Sequence, residues 1–309
     1  MIVTLTCNPA CDRTLITPGF RHSDMVRVQT RHDSAGGKGL NVARAIHTLG
    51  HTVTAIAPLG GATGALVAQL ALAEGIPLVA VPIAGETRTC LSLTDPAAPD
   101  QIVVNEPGPP LSRTEWHHLC AVVVAHCAEA RILTISGSLP PGVTPDDLAH
   151  LIARIPASCH VLLDTSGAPL RACLDTPLAL IKVNAHEFCD VYGASLTTPT
   201  AFIAAARTIC QRGPQAVVIT QGATGALAIT ADAAWHIDAP PIHAVSPVGS
   251  GDCTLAGIAV SYAHGLALTE AVCAGVACGS ANALVPHAGV FDVTTYQQFL
   301  TTRHITHIP

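Results

Sequence analysis

The segment PVGSGDCTLAGI, Pro247–Ile258, is the most informative part of the chain. Gly249, Ser250 and Gly251 are three small residues at the point where a helix is predicted to begin, and Asp252 follows in its first turn. The backbone N–H groups and the dipole of such a helix start attract an anion. A carboxylate beside them does not suit a site that only holds phosphate, because like charges repel. It suits transfer of a phosphoryl group to a hydroxyl, with Asp252 accepting the proton.

Short apolar runs alternate with helical patterns along the chain, which indicates an α/β fold. The predicted strands are Ile2–Thr6, Thr52–Ala57, Arg131–Ser136, Val161–Asp164, Leu180–Val183, Ala216–Thr220 and Ala226–Thr230. The predicted helices are Lys38–Leu49, Gly64–Leu72, Arg113–Ala125, Pro145–Ile155, Thr200–Gln211 and Gly251–His264. Apolar strands separated by helices are typical of a mostly parallel sheet covered on both faces. Ligands bind such sheets beyond the carboxyl ends of the strands.

Two segments, near residues 13–33 and 85–105, interrupt this alternation with short polar β-like runs and turn residues. We interpret them as excursions that pair into a small β-sheet lid over the carboxyl edge of the main sheet. A closing lid excludes water, which protects a phosphoryl donor from hydrolysis. We therefore predict a single domain over residues 1–309 that includes this lid.

Composition excludes several classes of partner. Hydrophobic residues make up 49% of the 309 residues, charged residues only 12%, and the formal net charge is −6. Without a basic patch, nucleic acid is not expected as a partner. No apolar stretch reaches membrane-spanning length without interruption, and the N-terminal segment lacks the pattern of a signal peptide, so we expect a cytoplasmic protein and no membrane partner. The 12 cysteines show no disulfide-module or zinc spacing.

A second glycine-rich helix start lies near the N-terminus, in AGGKGLNVARA, Ala35–Ala45. Gly37 precedes the predicted helix, Lys38 offers a charge for phosphate, and Asn41 offers an amide for sugar hydroxyls. A plain loop-to-helix junction is the alternative, but lysine and asparagine at this spacing favour an anion or sugar site. The G-x-x-x-x-G-K-[ST] order is absent, so a P-loop NTPase is disfavoured.

Polar residues after the predicted strands are weaker signals, each with a structural alternative. Asp12 follows the first strand and either grips sugar hydroxyls or caps a turn. Asn184 and Glu187 form either a capping box or a pair that organises Mg²⁺ through its waters. The Thr220–Ala226 segment is either a hairpin turn or a wall for a nucleotide. Arg88, within the second lid segment, either reaches a sugar phosphate or is a solvated turn residue.

Two signatures, Gly36–Arg44 and Val245–Gly257, together resemble the PfkB (ribokinase-like) carbohydrate kinase family in its phosphosugar branch, over nearly the whole chain. The resemblance implies a three-layer αβα sandwich with a mostly parallel central sheet and a small β-sheet lid. It also implies ATP and Mg²⁺ as cofactors and a homodimer formed through the lid.

The resemblance further implies roles by position. Asp252 is similar to the family's catalytic base, with Gly249, Ser250 and Gly251 as the anion hole. The implied sugar-phosphate pocket consists of Asp12, Gly37, Lys38, Asn41, Arg88 and Ser138. The implied ATP and Mg²⁺ side consists of Lys182, Asn184, Glu187, Thr220 and Gly222, with Glu187 acting on the metal through water and Asn282 near the adenine.

The expected activity is ATP-dependent phosphorylation of a ketohexose monophosphate to the bisphosphate, as in 1-phosphofructokinases and tagatose-6-phosphate kinases. Fructose 1-phosphate, fructose 6-phosphate and tagatose 6-phosphate all fit, because each offers a CH₂O group opposite its phosphate. Two alternatives stay open: a kinase of a non-phosphorylated sugar or nucleoside on the same fold, and a non-catalytic sugar-phosphate sensor. Lys38 and Arg88 disfavour the former, because a neutral substrate leaves two cations unpaired.

Overall fold

The computed structural model describes residues 1–19, 25–95 and 101–309. Ten strands form one large sheet in the order β14-β13-β12-β11-β10-β9-β8-β1-β4-β5. These strands are β1 (Ile2–Thr6), β4 (Val53–Leu59), β5 (Leu78–Pro82), β8 (Ile132–Ser136), β9 (His160–Asp164), β10 (Leu180–Asn184), β11 (Val217–Thr220), β12 (Ala226–Ile229), β13 (Ala234–Ile237) and β14 (Ile305–Ile308). Within this sheet the strands β5, β4, β1, β8, β9, β10 and β11 run parallel to one another. The strands β12, β13 and β14 add an antiparallel edge beside β11.

Helices cover both faces of the large sheet, so the predicted three-layer arrangement is confirmed. One face carries α1 (Lys38–Thr48), α2 (Gly61–Ala73), α8 (Ser250–Ala263), α9 (Leu268–Asn282) and α10 (Val293–Thr301). The other carries α3 (Arg113–Cys127), α4 (Pro145–Ala153), α5 (Gly167–Cys173), α6 (Ala185–Tyr192) and α7 (Pro199–Cys210). Each face has its own apolar core, because strands such as β1 and β8 are buried at every position. No helix within the described ranges is long and apolar enough to cross a membrane.

A second sheet of four strands forms the predicted lid, in the order β3-β2-β6-β7. Its strands are β2 (Ala10–Ile16), β3 (Thr30–Gly36), β6 (Arg88–Thr94) and β7 (Gln101–Asn105). The β2–β6 pair is parallel, whereas β2–β3 and β6–β7 are antiparallel. Residues 20–24 and 96–100, which fall within the two predicted excursions, lie outside the described residues.

The lid begins earlier than the sequence predicts. Only three residues separate β1 from β2, so Asp12 is not in a turn after the first strand but in the lid itself. There Asp12 lies between Ser34 of β3 and Cys90 of β6. The carboxylate is therefore carried by the lid.

Several elements were missing from the sequence prediction: β5, β13, β14, α5, α9 and α10. The most consequential is α9, which is buried at every position from Ala271 to Asn282. A helix buried on all sides lacks the amphipathic period by which helices are recognised. Its contacts with α8 set the position of the Asp252 helix.

Candidate active site

A cavity of about 1220 Å³ lies between the carboxyl edge of the large sheet and the lid. Thr6, Ser136 and Thr220, which end β1, β8 and β11, line it from the large sheet. Asp12 of β2 and Arg88 of β6 line it from the lid. The location agrees with the rule that parallel sheets bind ligands beyond their carboxyl ends.

The start of α8 borders this cavity. Gly249 is the N-cap in a left-handed conformation, with φ 84°, and no side chain caps the helix. A Cβ at Gly249 would lie 2.6 Å from Cα of Ala288, so only glycine fits there. The N–H of Ser250 donates to the carbonyl of Pro247 at 3.2 Å, while the N–H groups of Gly251 and Asp252 precede the first i−4 carbonyl of the helix. The predicted glycine-rich helix start is therefore present at the cavity, and its role as an anion hole stays a prediction.

Asp252 is buried at this helix start, only 5% exposed. The amide of Asn41 donates to its Oδ2 at 2.8 Å. Burial and the charge of Asp164 raise the pKa of Asp252 to about 6, against the opposing effects of Lys38, Asn41 and Lys182. A carboxyl with this pKa is ionised at neutral pH and still basic enough to accept a proton.

Asp164, the last residue of β9, holds two lysines together. Its carboxylate is fully buried and accepts from Nζ of Lys38 at 3.1 Å and from Nζ of Lys182 at 2.6 Å. Burial alone would raise the pKa of Asp164, but the two cations lower it, so it stays ionised. In turn, the Asp164 charge raises the pKa of Lys38. Lys182 also lies against the start of α8, since a Cβ at Gly251 would be 2.9 Å from its Nζ.

This ion cluster joins two predicted subsites that the sequence analysis kept apart. Lys38 was predicted on the sugar-phosphate side and Lys182 on the nucleotide side, and both bind one carboxylate. Asp164 itself was not among the predicted site residues. Its position at the carboxyl end of a buried strand was the available signal, because such positions converge on the site.

Gly37 fixes the start of α1 beside this cluster. It is the N-cap of α1 with φ 106°, and a Cβ there would lie 2.7 Å from Cγ2 of Thr6. The glycine therefore lets α1 approach β1 closely, so that Lys38 and Asn41 reach the cavity.

Arg88 is held by the backbone at the lid end of the cavity. Its Nη1 donates to the carbonyl of Glu106 at 2.7 Å and its Nη2 to the carbonyl of Asn8 at 2.9 Å. Asn8 in turn donates to Oγ of Ser138 at 3.3 Å. Arg88 is thus not a freely solvated turn residue, and its place in the cavity wall agrees with the sequence prediction. Burial raises the pKa of Asp12, which lines the same end.

Four buried polar atoms at this end have no hydrogen-bond partner among the described residues. They are Oγ1 of Thr6, Oδ1 of Asn8, Nε of Arg88 and Oγ of Ser136, and all four residues line the cavity. Leaving such a group unsatisfied costs about 1–3 kcal/mol. Oγ1 of Thr6 and Oδ1 of Asn8 face glycine backbone rather than the cavity, since a Cβ at Gly39 or Gly108 would lie 2.4 Å or 2.3 Å from them, so these two atoms do not by themselves identify a ligand.

Asn184 and Glu187 form the capping box of α6. Oδ1 of Asn184 accepts from the N–H of Glu187 at 2.8 Å, and Oε2 of Glu187 accepts from the N–H of Asn184 at 2.9 Å. The structural alternative from the sequence is therefore present. Both residues also line the cavity, and Oε1 of Glu187 lies 3.8 Å from Nζ of Lys38. One carboxylate oxygen thus remains for a further partner.

Thr220 and Gly222 belong to the hairpin that joins β11 and β12. Oγ1 of Thr220 donates to the carbonyl of Val183 at 3.3 Å, and Gly222, with φ 60°, starts a tight turn. The predicted hairpin is present, and its residues face the cavity beside the segment 239–244. This half of the cavity is the wall away from the lid.

Asn282, which was predicted near the adenine, does not line the cavity in this structure. It is 0% exposed at the end of α9. Its amide donates to the carbonyls of His287 and Val290, both at 2.8 Å, and its Oδ1 accepts from Oγ of Ser250 at 3.5 Å. Because its hydrogen-bonding groups are occupied internally, Asn282 anchors the loop behind Gly249.

Comparison with known proteins agrees with this geometry. The pfkB family carbohydrate kinase model matches residues 6–294. An ATP-dependent 6-phosphofructokinase isozyme 2 of Mycobacterium tuberculosis is 35% identical over 302 residues, which are 96% of this chain and 88% of the relative. A 1-phosphofructokinase of Borreliella burgdorferi is 30% identical over 285 residues, which are 92% of each chain.

A solved structure of phosphofructokinase-2 from Escherichia coli in complex with potassium superposes with a TM-score of 0.93. It is 33% identical to this chain, and the match covers 97% of this chain and 98% of that one. The resemblance deduced from the two glycine-rich signatures, and the ribokinase-like α/β fold that it implied, are therefore confirmed. The chain is a kinase that belongs to the pfkB family of carbohydrate kinases.

Proposed function

We propose that this kinase transfers the terminal phosphoryl group of ATP to a hydroxyl of a ketohexose monophosphate. The observation that carries the proposal is the buried Asp252 at the start of α8, beside two lysines that share Asp164. The similar proteins named 6-phosphofructokinase and 1-phosphofructokinase support a phosphorylated ketohexose as the acceptor.

In the proposed reaction, Asp252 accepts the proton of the acceptor hydroxyl as the oxygen attacks the terminal phosphorus of the donor. The new O–P bond forms as the bond to the leaving nucleotide breaks, and the proton stays on Asp252 until solvent removes it. The N–H groups at Gly249–Gly251 stabilise the charge on the transferred group. Lys182, held beside Gly251 by Asp164, supplies a cation at the same place.

The sugar phosphate would bind between α1 and the lid. Lys38 and Arg88 supply charge for the existing phosphate, since their side chains retain donors beyond those bound by the protein. The pocket residues we assign here are Asp12, Gly37, Lys38, Asn41, Arg88 and Ser138.

The nucleotide would bind on the opposite wall, formed by Lys182, Asn184, Glu187, Thr220 and Gly222. No group of three or more acidic, histidine or cysteine ligands within the described ranges could hold a metal alone. Oε1 of Glu187 is outside the capping box and 3.8 Å from Nζ of Lys38, and it would suit Mg²⁺ that arrives on the donor phosphates and is held through water. When bound, Mg²⁺ would neutralise the charge of the donor phosphates. Asn282 is not part of this assignment.

We also propose a homodimer formed through the lid. On β7, the edge strand of the small sheet, Val103 and Val104 are 56% and 50% exposed. Because successive strand side chains point to opposite faces, this edge strand exposes an apolar side chain on each face of the lid, which favours association with a second copy. The Val103→Lys/Val104→Lys variant should become monomeric in size-exclusion chromatography with light scattering. A dimer that survives both substitutions would place the interface elsewhere.

The function is tested by ADP release with fructose 6-phosphate, fructose 1-phosphate, tagatose 6-phosphate, ribose and adenosine. We expect turnover with at least one ketohexose phosphate and none with the two unphosphorylated compounds. Asp252→Asn should abolish turnover while sugar-phosphate binding, measured by calorimetry, is retained. Turnover only with ribose or adenosine would favour the alternative kinase class. Binding of a ketohexose phosphate without turnover by the wild type would favour the sensor.

A further inference from the structure

Arg44 of α1 does not line the cavity, yet it contacts Asn41, which does, and three further segments of the chain. It is 8% exposed. Its Nη1 donates to Oδ1 of Asn41 at 2.8 Å and to the carbonyl of Ala288 at 3.2 Å. Its Nη2 donates to the carbonyl of Ala35 at 2.6 Å, and its Nε donates to Oε2 of Glu74 at 2.8 Å. A buried guanidinium with this many fixed partners holds their relative positions.

The contact with Asn41 determines which way the Asn41 amide points. A guanidinium can only donate hydrogen bonds, and a carboxylate can only accept them. Asn41 lies between the two, so its carbonyl oxygen must face Arg44 and its NH₂ group must face Asp252. Arg44 therefore fixes the one orientation in which Asn41 stabilises the ionised Asp252.

The contact with Ala288 supports the other half of the reaction centre. Ala288 packs directly against Gly249, where a Cβ would approach to 2.6 Å. Gly289 is equally close to α1, because a Cβ there would lie 2.8 Å from the carbonyl of Asn41. The same loop is held from the opposite side by Asn282, through the carbonyls of His287 and Val290.

We propose that Arg44 is a positioning residue for phosphoryl transfer: it aligns Asn41 with Asp252 and seats Ala288 behind Gly249, so that proton acceptor and anion site keep one fixed geometry. This inference rests on the proposed function, because it assumes that Asp252 is the base. Glu74 anchors the guanidinium from the end of α2 through Nε and Nη2. Arg44 touches no reacting atom and acts only through these neighbours.

Arg44→Lys is the test variant, because it keeps the cation and removes the planar fork. Displacing the base and the anion site should lower kcat about 10- to 100-fold, with KM for ATP and the sugar phosphate unchanged. The acid limb of the kcat profile should move to higher pH. The reason is that a misaligned Asn41 no longer stabilises the Asp252 carboxylate, while Asp164, Lys38 and Lys182 still face it.

A purely structural role would not move that limb, so the pH profile separates the two explanations. Arg212→Lys is the matched control, because Arg212 also binds a carboxylate through two nitrogens. Its Nε and Nη2 each donate to the carboxylate of Asp175 at 2.8 Å. That pair is exposed and does not line the cavity. The control should retain the wild-type kcat and acid limb.

A double-mutant cycle with Asn41→Ala tests the route of the effect. If Arg44 acts partly through Asn41, the two losses in kcat should not be additive. Additive losses together with an unmoved acid limb would overturn the proposal. If Arg44→Lys fails to fold, Glu74→Gln replaces it, because it retains Arg44 and removes the negative charge that anchors it. For Glu74→Gln we then expect a smaller loss of kcat than for Arg44→Lys, and a shift of the acid limb to higher pH. A wild-type kcat and acid limb would overturn the proposal.

The proposed function and the positioning role fail in different ways. If Asp252→Asn retains turnover, Asp252 is not the base and the proposed mechanism fails, whatever Arg44→Lys does. If Asp252→Asn is inactive and Arg44→Lys has the wild-type kcat and acid limb, only the role of Arg44 is refuted.

Discussion

Replacing Asp252 by asparagine should stabilise the protein while abolishing turnover. Asp252 is 5% exposed, and its burial and the charge of Asp164 raise its pKa from the ordinary 3.8 to about 6. The ionised carboxylate is therefore less favourable in the folded protein than in the unfolded chain. Because one pKa unit corresponds to about 1.4 kcal/mol, this difference amounts to about 3 kcal/mol of lost stability at neutral pH.

The direction of the pH dependence follows from the raised folded-state pKa. Below pH 3.8 Asp252 is protonated in both states and has no effect on stability. As the pH rises, the unfolded chain ionises first, so the folded state loses stability until the pH passes about 6. The neutral amide of the Asp252→Asn variant avoids this loss and retains an oxygen that can accept from Asn41. Its advantage should be greatest above pH 6.

Thermal and urea unfolding at pH 4.5 and 7.5 measure this effect. For a chain of this length, about 3 kcal/mol corresponds to a rise in Tm of about 4 °C at pH 7.5. At pH 4.5 the gain should fall to about one third of that value. Asp232→Asn, at an exposed turn outside the cavity, should change neither value. A variant at position 252 that is less stable than the wild type at pH 7.5, or equally stabilised at both pH values, would refute the reasoning.

Three further predictions concern the same centre. First, kcat/KM should fall as the pH drops through about 6, the pKa of Asp252, when measured between pH 5 and 8; a profile that stays flat down to pH 5 would contradict the burial argument. Second, Asp164→Asn should destabilise the protein by about 3 kcal/mol or more in urea unfolding, because it leaves buried lysine charge unpaired. It should also move the acid limb to lower pH, and an unmoved limb would show that its charge does not reach Asp252. Third, Gly249→Ala should lower kcat about 100-fold, because its Cβ would displace Ala288. The control Gly265→Ala has a similar positive φ of 75° with no atom within 4 Å, and it should lose stability but not kcat.

The two glycine-rich helix starts were recognisable from the sequence because their signals are local. Gly37 and Gly249 both have positive φ, and each is followed within four residues by the polar side chain that the site uses. Turn chemistry and helix starts depend on neighbouring residues, so a single segment specifies them. Their position at the carboxyl edge of the sheet follows from the parallel strand order, which the apolar runs also indicate.

The role of Asp164 could not be predicted, because it depends on three segments at once. Asp164, Lys38 and Lys182 are separated in sequence by 126 and 18 residues, and only the folded sheet brings them within hydrogen-bond distance. The internal hydrogen bonds of Asn282 were hidden for a related reason. Its helix has no amphipathic pattern, so neither its burial nor its contacts with the loop at 287–290 were visible beforehand.

The candidate active site contains two buried carboxylates whose ionised forms differ in stability: that of Asp252 is destabilised and that of Asp164 is stabilised. Asp164 and Asp252 are both buried, but Asp164 binds the two lysines directly, whereas Asp252 has one amide donor and the repulsion of Asp164. An ammonium has three donors, so Lys38 and Lys182 can keep Asp164 and still bind phosphate oxygens. Asp164 thereby fixes both cations without neutralising their capacity to bind. The same charge raises the pKa of Asp252, so one buried aspartate would prepare both the proposed phosphate contacts and the proposed proton acceptor.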